Sequence, residues 1–123
     1  MTDETAAPAS TWHDVGDLSE VERRRRTVVS VGDDEIVVVA HEGRLFALDN
    51  VCIHRQRELN KGVVLRDRLV CPGHQWAFAL DTGWEATKQQ CQPVYSVRVT
   101  DAGRVEVDLA SRRINPAPVE QPQ

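Results

Sequence analysis

Short apolar runs separated by turn-forming residues characterise the interior of this chain. Val, Ile, Leu and Phe dominate the runs, and several alternate apolar with polar positions, which predicts β-strands. Segments containing Gly and Asp predict turns between them, and only Leu18–Arg23 suits a helix, of a single turn. The predicted strands are Thr27–Val31, Glu35–His41, Leu45–Asp49, Val63–Leu65, Arg68–Cys71, Trp76–Leu80, Val94–Thr100 and Arg104–Leu109. Regular short strands of this kind predict an all-β fold, a small antiparallel β-sandwich or barrel.

Three segments depart from the alternating pattern. The segment Ile36–Val39 is apolar at every position, which predicts a strand buried between two layers. Residues 1–10 are small and polar, and residues 111–123 contain several prolines. Neither end has enough apolar content to offset the entropy lost on ordering, so we expect mobile tails there. An ordered domain over residues 11–110 remains.

Composition and charge narrow the functional classes. The chain has 123 residues, of which 15 are basic and 19 acidic, and a formal net charge of −4. A single domain of this length can bury a core without disulfides, and the acidic balance argues against nucleic-acid binding. No stretch reaches the roughly 18 apolar residues that cross a membrane, and the first ten residues lack a signal pattern. We therefore expect a cytoplasmic protein, whose cysteines serve as metal ligands or free thiols.

Candidate metal ligands occur as two Cys–His pairs. One residue separates Cys52 from His54, two residues separate Cys71 from His74, and a predicted hairpin lies between the pairs. A hairpin brings its ends together, so both pairs could bind one metal centre. Structural zinc sites usually combine a pair of Cys with a pair of His, whereas one Cys and one His on each loop suit a two-iron cluster. Zinc and a two-iron cluster are both open at this point.

The ligand pattern resembles that of the Rieske [2Fe–2S] family, and other residues of that family's pattern occur at matching spacings. These are Leu59, Gly62, Phe78, Thr82 and Gly83. The resemblance implies an inserted cluster-binding subdomain at about residues 50–80 and one [2Fe–2S] cluster. The implied ligands are Cys52, His54, Cys71 and His74. Gln56 and Gln75 replace glycines that are common in the family, which leaves the ligands intact but could alter access to the cluster.

The same resemblance implies a low reduction potential. High-potential members carry a second Cys in each ligand loop, joined by a disulfide, and a Ser and a Tyr after the second ligand His. This chain has Arg57 and Gly73 at the cysteine positions, and Trp76 and Phe78 at the hydroxyl positions. Both hydroxyl donors and the disulfide are therefore missing, and we expect a potential nearer roughly −150 mV than +300 mV.

A Rieske domain does not by itself specify a function. The chain is too short to include the mononuclear iron domain of an oxygenase catalytic subunit, and we expect no membrane anchor. The resemblance implies a soluble one-electron carrier that passes electrons from a flavin reductase to a terminal oxygenase. One alternative is the small subunit of a cytoplasmic NAD(P)H-dependent nitrite reductase, with a large reductase subunit as its partner. The other is a zinc-stabilised binding module without a redox role. The carrier and subunit interpretations make the chain an electron-transfer component rather than a catalyst on its own.

Residues outside the ligand pattern have plainer interpretations. Cys91 is expected to be a buried or semi-buried free thiol, and the basic run Arg23–Arg26 a solvated face. His41 ends a predicted strand, where we expect a surface or capping role. The tryptophans Trp12, Trp76 and Trp84 are expected to pack in the core or cover the cluster.

Basic residues also flank the first ligand loop. They are Arg55, Arg57 and Lys61. A basic rim beside an exposed cluster would guide an acidic partner, and such steering weakens with salt. Ordinary surface charge is the alternative interpretation.

Overall fold

Twelve short strands and one helix form the part of the chain that the computed structural model describes, residues 11–53, 57–72 and 76–117. The helix α1 is Leu18–Arg24. The strands are β1 Trp12–Asp17, β2 Arg26–Val31, β3 Asp34–His41, β4 Arg44–Asp49, β5 Val63–Leu65, β6 Arg68–Val70, β7 Ala77–Ala79, β8 Trp84–Glu85, β9 Gln90–Cys91, β10 Val94–Tyr95, β11 Val97–Val99 and β12 Arg104–Asp108. Short 3₁₀ turns occupy Leu59–Lys61 and Leu109–Ser111. No helix within these ranges is long and apolar enough to cross a bilayer.

The fold is built around a central antiparallel sheet with the strand order β10-β4-β3-β2. Strand β3 lies inside this sheet, and its segment Ile36–Val39 is fully buried. Because side chains alternate across a strand, Val37 and Val39 enter one core, whereas Ile36 and Val38 enter another. The predicted strand between two layers is therefore confirmed, and so is the antiparallel all-β fold class.

The two cores divide the molecule into two parts. The body contains helix α1, the central sheet and the sheet β1-β12-β11, and the cluster-binding part is residues 50–80. In the body, helix α1 and the sheet β1-β12-β11 pack on one side of the central sheet, where Val105 and Val107 are fully buried. On the other side, the sheet β5-β6-β7 contributes Leu69 and Phe78 to the second core. This second core contains the side chains of the two candidate cysteine ligands, Cys52 and Cys71. The central sheet therefore packs against the candidate site.

Several elements differ from the sequence-based prediction. Strand β1 has no counterpart in the prediction because Asp14 and Gly16 interrupt its alternation, and the register shifts between them against β12. Helix α1 has seven residues rather than one turn. The predicted strand Val94–Thr100 is divided at Ser96, because β10 pairs with β4 while β11 pairs with β12. The two-residue strands β8 and β9 are too short for a periodic pattern.

The segment after residue 110 also differs from the expectation of a mobile tail. Arg113 exchanges two backbone hydrogen bonds with Val94, of 2.9 and 3.0 Å. The side chain of Asn115 donates to the carbonyl oxygen of Thr82 at 2.8 Å. This strand-like pairing continues the structure to residue 117, although the segment has little apolar content. Residues 1–10 and 118–123, also predicted as tails, lie outside the described residues.

Candidate metal centre

Cys52 and Cys71, the two cysteines predicted as ligands, lie together under the surface of the cluster-binding part. Cys52 follows strand β4 and Cys71 follows strand β6, and their side chains are 0% and 1% exposed. Both are free thiols in the same core, and the Cys71 thiol donates to the carbonyl oxygen of Pro72 at 3.5 Å. The other two predicted ligands, His54 and His74, lie outside the described residues, as do Arg55, Gln56, Gly73 and Gln75.

Electrostatics in this buried position favour the neutral thiol when no cation is present. Burial, and next the neighbouring Cys52 thiol, raise the pKa of Cys71 to about 12, against a smaller lowering by the charge of Arg57. Metal ligation requires the thiolate. A metal centre at this place must therefore supply the positive charge that stabilises two adjacent thiolates.

Backbone hydrogen bonds close the first ligand loop at its base. The N–H of Cys52 donates to the carbonyl oxygen of Arg57 at 2.8 Å, and Val51 pairs with Glu58 in an isolated β-bridge. The Leu59 N–H donates to the Asn50 carbonyl oxygen at 2.6 Å, and the Leu59 side chain is fully buried. The described backbone on both sides of the first ligand loop is thus paired, which fixes the position of Cys52.

The second ligand loop is closed in the same way. The N–H of Cys71 donates to the carbonyl oxygen of Trp76 at 2.7 Å, at the point where β6 gives way to β7. Strands β6 and β7 pair antiparallel, with Val70 opposite Ala77. The structure thus places one buried thiol before and one after the β5-β6 hairpin, each beside a backbone hydrogen bond that spans its ligand loop.

Comparison with known proteins gives the family. A family model of the Rieske [2Fe-2S] domain matches residues 11–100. The chain belongs to the Rieske [2Fe–2S] domain family. This assignment confirms the resemblance that the ligand pattern suggested.

Individual Rieske proteins are similar over much of the chain. The ferredoxin subunit of anthranilate 1,2-dioxygenase from Burkholderia cepacia is 30% identical over 107 residues, which cover 85% of this chain and 98% of that protein. The ferredoxin component of an alkene monooxygenase system from Xanthobacter autotrophicus is 39% identical over 46% of this chain and 47% of that protein. The ferredoxin of carbazole 1,9a-dioxygenase from Nocardioides aromaticivorans superposes with a TM-score of 0.70 at 26% identity, over 80% of this chain and 97% of that chain. Two of these matches span nearly the whole relative, and the alkene monooxygenase match spans about half of it.

The cofactor implied by the Rieske family is a [2Fe–2S] cluster, and the described residues fit it. A Rieske cluster uses two Cys and two His ligands, and the structure brings two buried, unbridged cysteine thiols together on two loops. Their enclosure keeps water away from the sulfur atoms, and the iron ions provide the charge that their ionisation requires. The predicted cofactor therefore agrees with both the family and the donor set.

Residues that match the Rieske pattern beyond the ligands have clear structural reasons. A Cβ atom on Gly62 would lie 1.8 Å from the Val70 carbonyl oxygen, so only glycine allows this close approach of the loop to β6. Gly83 has a φ of +79°, and a Cβ atom there would lie 2.0 Å from the Gln92 carbonyl oxygen. Phe78 is fully buried beneath the hairpin. These positions set the distance between the two ligand loops and the central sheet.

A buried glutamine fixes the first ligand loop of this Rieske domain. Gln92 is 0% exposed. Its Nε2 donates to the carbonyl oxygens of Asp49 and Val51, at 2.8 and 2.7 Å, and its Oε1 accepts from the Ile53 N–H at 3.0 Å. One side chain thus satisfies three backbone groups on both sides of Cys52. This role could not be predicted from the sequence, because a single Gln before Pro93 carries no spacing that distinguishes it.

A buried carboxylate performs a similar task beside the second loop. Glu85 is 5% exposed, and its side chain accepts hydrogen bonds from the backbone N–H groups of Ala77 at 2.5 Å and Thr87 at 2.7 Å. Ala77 follows Trp76, the residue that closes the second loop. Glu85 therefore holds the start of β7 against β8. A lone Glu in the sequence gives no signal for such burial.

Aromatic side chains occupy the positions where high-potential Rieske proteins place hydroxyl groups. Trp76 is 8% exposed, and its ring lies 6.3 Å from the ring of Phe78. The ammonium group of Lys88 lies 5.8 Å above the Trp76 ring. Trp76 packs in the second core, as predicted, next to the buried cysteine pair. Trp12 is partly buried beneath the guanidinium of Arg98, at 3.9 Å, and Trp84 is partly buried on β8.

The other singled-out residues lie away from the cysteine pair or belong to the framework. Cys91 is a buried free thiol, 7% exposed, and burial raises the pKa of its side chain. The Nε2 of His41 lies 3.0 Å from Asp67 on the turn between β5 and β6. The basic run Arg23–Arg26 is mixed in role, because Arg23 pairs with Glu20 on the helix surface, whereas Arg26 donates to the carbonyl oxygen of Gly62. Arg26 and His41 therefore connect the body to the cluster-binding part.

Proposed function

We propose that this Rieske protein is a soluble one-electron carrier of the cytoplasm, which accepts an electron from a flavin reductase and passes it to a terminal oxygenase. The single observation that carries the proposal is the match to ferredoxin components over nearly their whole length. The anthranilate 1,2-dioxygenase ferredoxin subunit is covered to 98%, and the carbazole 1,9a-dioxygenase ferredoxin to 97%. Both relatives are named as ferredoxins of oxygenase systems.

We further propose that Cys52 and Cys71 bind one iron of the cluster and that His54 and His74 bind the other. The burial of the two thiols and the closed base of each loop support this assignment for the cysteines. The placement of one His in each loop supports it for the histidines. The ligand segments then form a cluster-binding part at about residues 50–80 within a domain that begins at about residue 11.

The described residues around the site suit electron transfer rather than acid–base catalysis. When bound, the cluster takes up and releases one electron. The chain keeps the sulfur ligands dry with Leu59, Leu69 and Phe78, each fully buried. Hydrogen bonds from Gln92 and Glu85 hold the described backbone next to Cys52 and Trp76 in place, which limits the structural change there that accompanies a change of charge. Val51 and Ile53 remain 39% and 40% exposed beside Cys52, as expected of a loop that a partner approaches.

The alternatives are distinguished by metal content and by partner. A zinc-stabilised module would contain zinc and show no visible absorption. A nitrite reductase small subunit would contain the same cluster but would co-purify with a large reductase subunit. The ferredoxin names of the relatives favour the carrier, because these proteins belong to multi-component oxygenase systems.

The first experiment combines elemental analysis with low-temperature EPR on the anaerobically purified protein after dithionite reduction. We expect two irons per chain and a rhombic signal with an average g value below that of the free electron. His74→Ala is expected to lose the native signal and most of its iron, because one iron loses a ligand. Cys91→Ser is the matched control, since its thiol lies apart from the cysteine pair, and it should retain both. Zinc in place of iron, or a His74→Ala protein with full iron and colour, would refute the proposal.

A further inference from the structure

Two faces of the small sheet β5-β6-β7 differ sharply in exposure. The face towards the central sheet carries Leu69 and Phe78, both fully buried. The pairing places Val63 opposite Val70, Leu65 opposite Arg68, and Val70 opposite Ala77, so these residues share the outer face. On that face, Val63 is 52% and Leu65 is 60% exposed. A sheet that buries one face normally carries polar residues on the other, and this outer face is instead apolar at its centre.

Arginines border this apolar surface. A groove of about 570 Å³ lies along it, lined by Leu65, Arg66, Arg68, Val70 and Ala77. These residues and Val63 are here named the hairpin face. Arg66 and Arg68 are exposed, and neither forms an ion pair with any residue in the ranges that the structure describes. Two exposed arginines that form no ion pair among the described residues, beside exposed valine and leucine side chains, are typical of a protein docking surface rather than of solvated surface.

Basic residues outnumber acidic ones in the cluster-binding part, whereas acidic residues outnumber basic ones in the rest of the chain. The cluster-binding part, residues 50–80, contains five basic residues and two acidic ones. The whole chain contains 15 basic and 19 acidic residues, so the remainder has ten basic against 17 acidic. A basic end on an acidic protein orients an approaching acidic partner towards that end.

The hairpin face also lies next to the redox site along the chain. Val70 immediately precedes Cys71, and Ala77 immediately follows Trp76, which closes the second ligand loop. A partner seated on this face is therefore in contact with residues adjoining a cluster ligand. The apolar centre supplies contact area, and the arginines at its edge supply orientation.

We propose that the hairpin face docks an acidic surface of a protein redox partner, with apolar contact to Val63 and Leu65 and charge pairing to Arg66 and Arg68. The inference rests on the proposed electron-carrier function and specifies the chemistry of the partner. The hairpin face is distinct from the basic residues that flank the first ligand loop, Arg55, Arg57 and Lys61. It lies on the outer face of the sheet β5-β6-β7 and consists of other residues.

The experiment measures electron transfer by stopped flow from the reduced protein to two haem proteins of opposite charge. Oxidised cytochrome b5 is the acidic probe and cytochrome c the basic probe, and p-benzoquinone is a small neutral oxidant. We expect the rate with cytochrome b5 to fall as salt is added, and more steeply than the rate with cytochrome c. Arg66→Glu/Arg68→Glu should lower the low-salt rate with cytochrome b5 about tenfold and flatten its salt dependence. Val63→Ser should lower the rate about threefold at low and high salt alike.

Matched controls lie on the body. Arg23→Glu/Arg24→Glu makes the same change of charge on helix α1, where both side chains are more than half exposed. Val99→Ser makes the same change as Val63→Ser at a residue that is 44% exposed on β11. Both controls should transfer electrons to cytochrome b5 within about twofold of the unmodified protein. All variants should reduce p-benzoquinone at the unmodified rate, because the cluster itself is unchanged.

The outcomes separate this inference from the proposed function. Hairpin-face variants that match the unmodified rate and salt dependence with cytochrome b5, or a rate with cytochrome b5 that rises as salt is added, would overturn the docking surface alone. A reduced, cluster-containing protein that passes electrons to none of the three oxidants would overturn the electron-carrier function itself.

Discussion

The side-chain oxygen of Gln92 accepts a 3.0 Å hydrogen bond from the backbone N–H of Ile53, a residue enclosed in the sequence between Cys52 and His54. Gln92 precedes strand β10, which pairs with β4 in the central sheet. This contact ties the first ligand loop to a segment some forty residues away in the chain. The position of Cys52 is thus set by the central sheet as well as by its own loop.

Gln92→Leu is expected to destabilise the protein and loosen this loop. Leucine has nearly the same volume, but it leaves two buried carbonyl oxygens and one N–H without their partner, and each such loss costs about 1–3 kcal/mol. We expect the free energy of unfolding to fall by at least about 2 kcal/mol in urea titrations, with a broadened EPR signal. Gln90→Leu makes the same change on β9, where the side chain is exposed. Its free energy of unfolding should fall by less than about 0.5 kcal/mol. Equal stability of the two variants would contradict the bracing role of Gln92.

Gly62→Ala is expected to disturb the hairpin although the change is a single methyl group. The new Cβ atom would lie 1.8 Å from the Val70 carbonyl oxygen and 3.2 Å from Pro72 Cδ, so the backbone must move apart. We expect a loss of about 2–3 kcal/mol in thermal or urea unfolding. Gly103→Ala is the control, since Gly103 has a φ of +79° and open space around it, and should lose only about 1 kcal/mol through backbone strain. A Gly62→Ala protein as stable as the control would show that the loop yields easily.

A buried tyrosine, Tyr95, is expected to make the free energy of unfolding fall as the pH becomes alkaline. The Tyr95 hydroxyl donates to Asp49 Oδ1 at 2.5 Å, and Arg112 donates to the other carboxylate oxygen at 2.9 Å. Burial, and next the hydrogen bond to Asp49, raise the pKa of Tyr95 well above its usual range. The unfolded chain therefore loses the tyrosine proton near pH 10 while the folded protein keeps it. Stability from this group is complete below about pH 10 and is lost as the pH rises towards the folded-state pKa.

Tyr95→Phe tests this linkage. At pH 7 the variant should be less stable by about 1.5–3 kcal/mol, because a hydrogen bond to a charged carboxylate is lost. Above about pH 10, the stability of the unmodified protein should fall more steeply than that of the variant, by up to about 1.4 kcal/mol per pH unit. Urea titrations from pH 7 to pH 11 measure both terms. A constant difference between the two proteins across this range would mean that the Tyr95 pKa is not raised.

The reduction potential is expected to lie at the low end of the Rieske range. Trp76 and Phe78 have no hydroxyl groups to donate to the cluster sulfur atoms, and such donors raise the potential. A redox titration followed by EPR should give a midpoint below 0 mV, near roughly −150 mV. Phe78→Tyr introduces a hydroxyl at one of these positions and should shift the midpoint upwards. A midpoint well above 0 mV for the unmodified protein would contradict the prediction.

The parts of the fold with regular periodicity could be predicted from the sequence. Strands β2 to β7 lie close to their predicted bounds, because their apolar positions and the turn residues between them are local signals. The segment Ile36–Val39 is apolar at every position, and this pattern predicted the observed burial of both faces of strand β3. In contrast, strand β1 depends on a bulge and on pairing with β12, about ninety residues away, and no local pattern reports such a partner.

The candidate site shows the same division. The proximity of Cys52 and Cys71 could be predicted, because a hairpin brings its two ends together, and both side chains lie in one buried core; their role as ligands stays a prediction. The residues that hold the loops could not. Gln92, Glu85 and Arg26 act through hydrogen bonds to backbone atoms, which many side chains could make and which only the folded chain selects.

Strand β3 links the two parts of the molecule, because its side chains pack alternately into both cores. Val37 faces the buried cysteines' core and Val38 faces the body core, although the two residues are consecutive. Neither half can lose its packing without exposing one side of the strand on which the other half depends. Loss of packing around the candidate iron site should therefore lower the stability of the whole domain, so that the two parts unfold together.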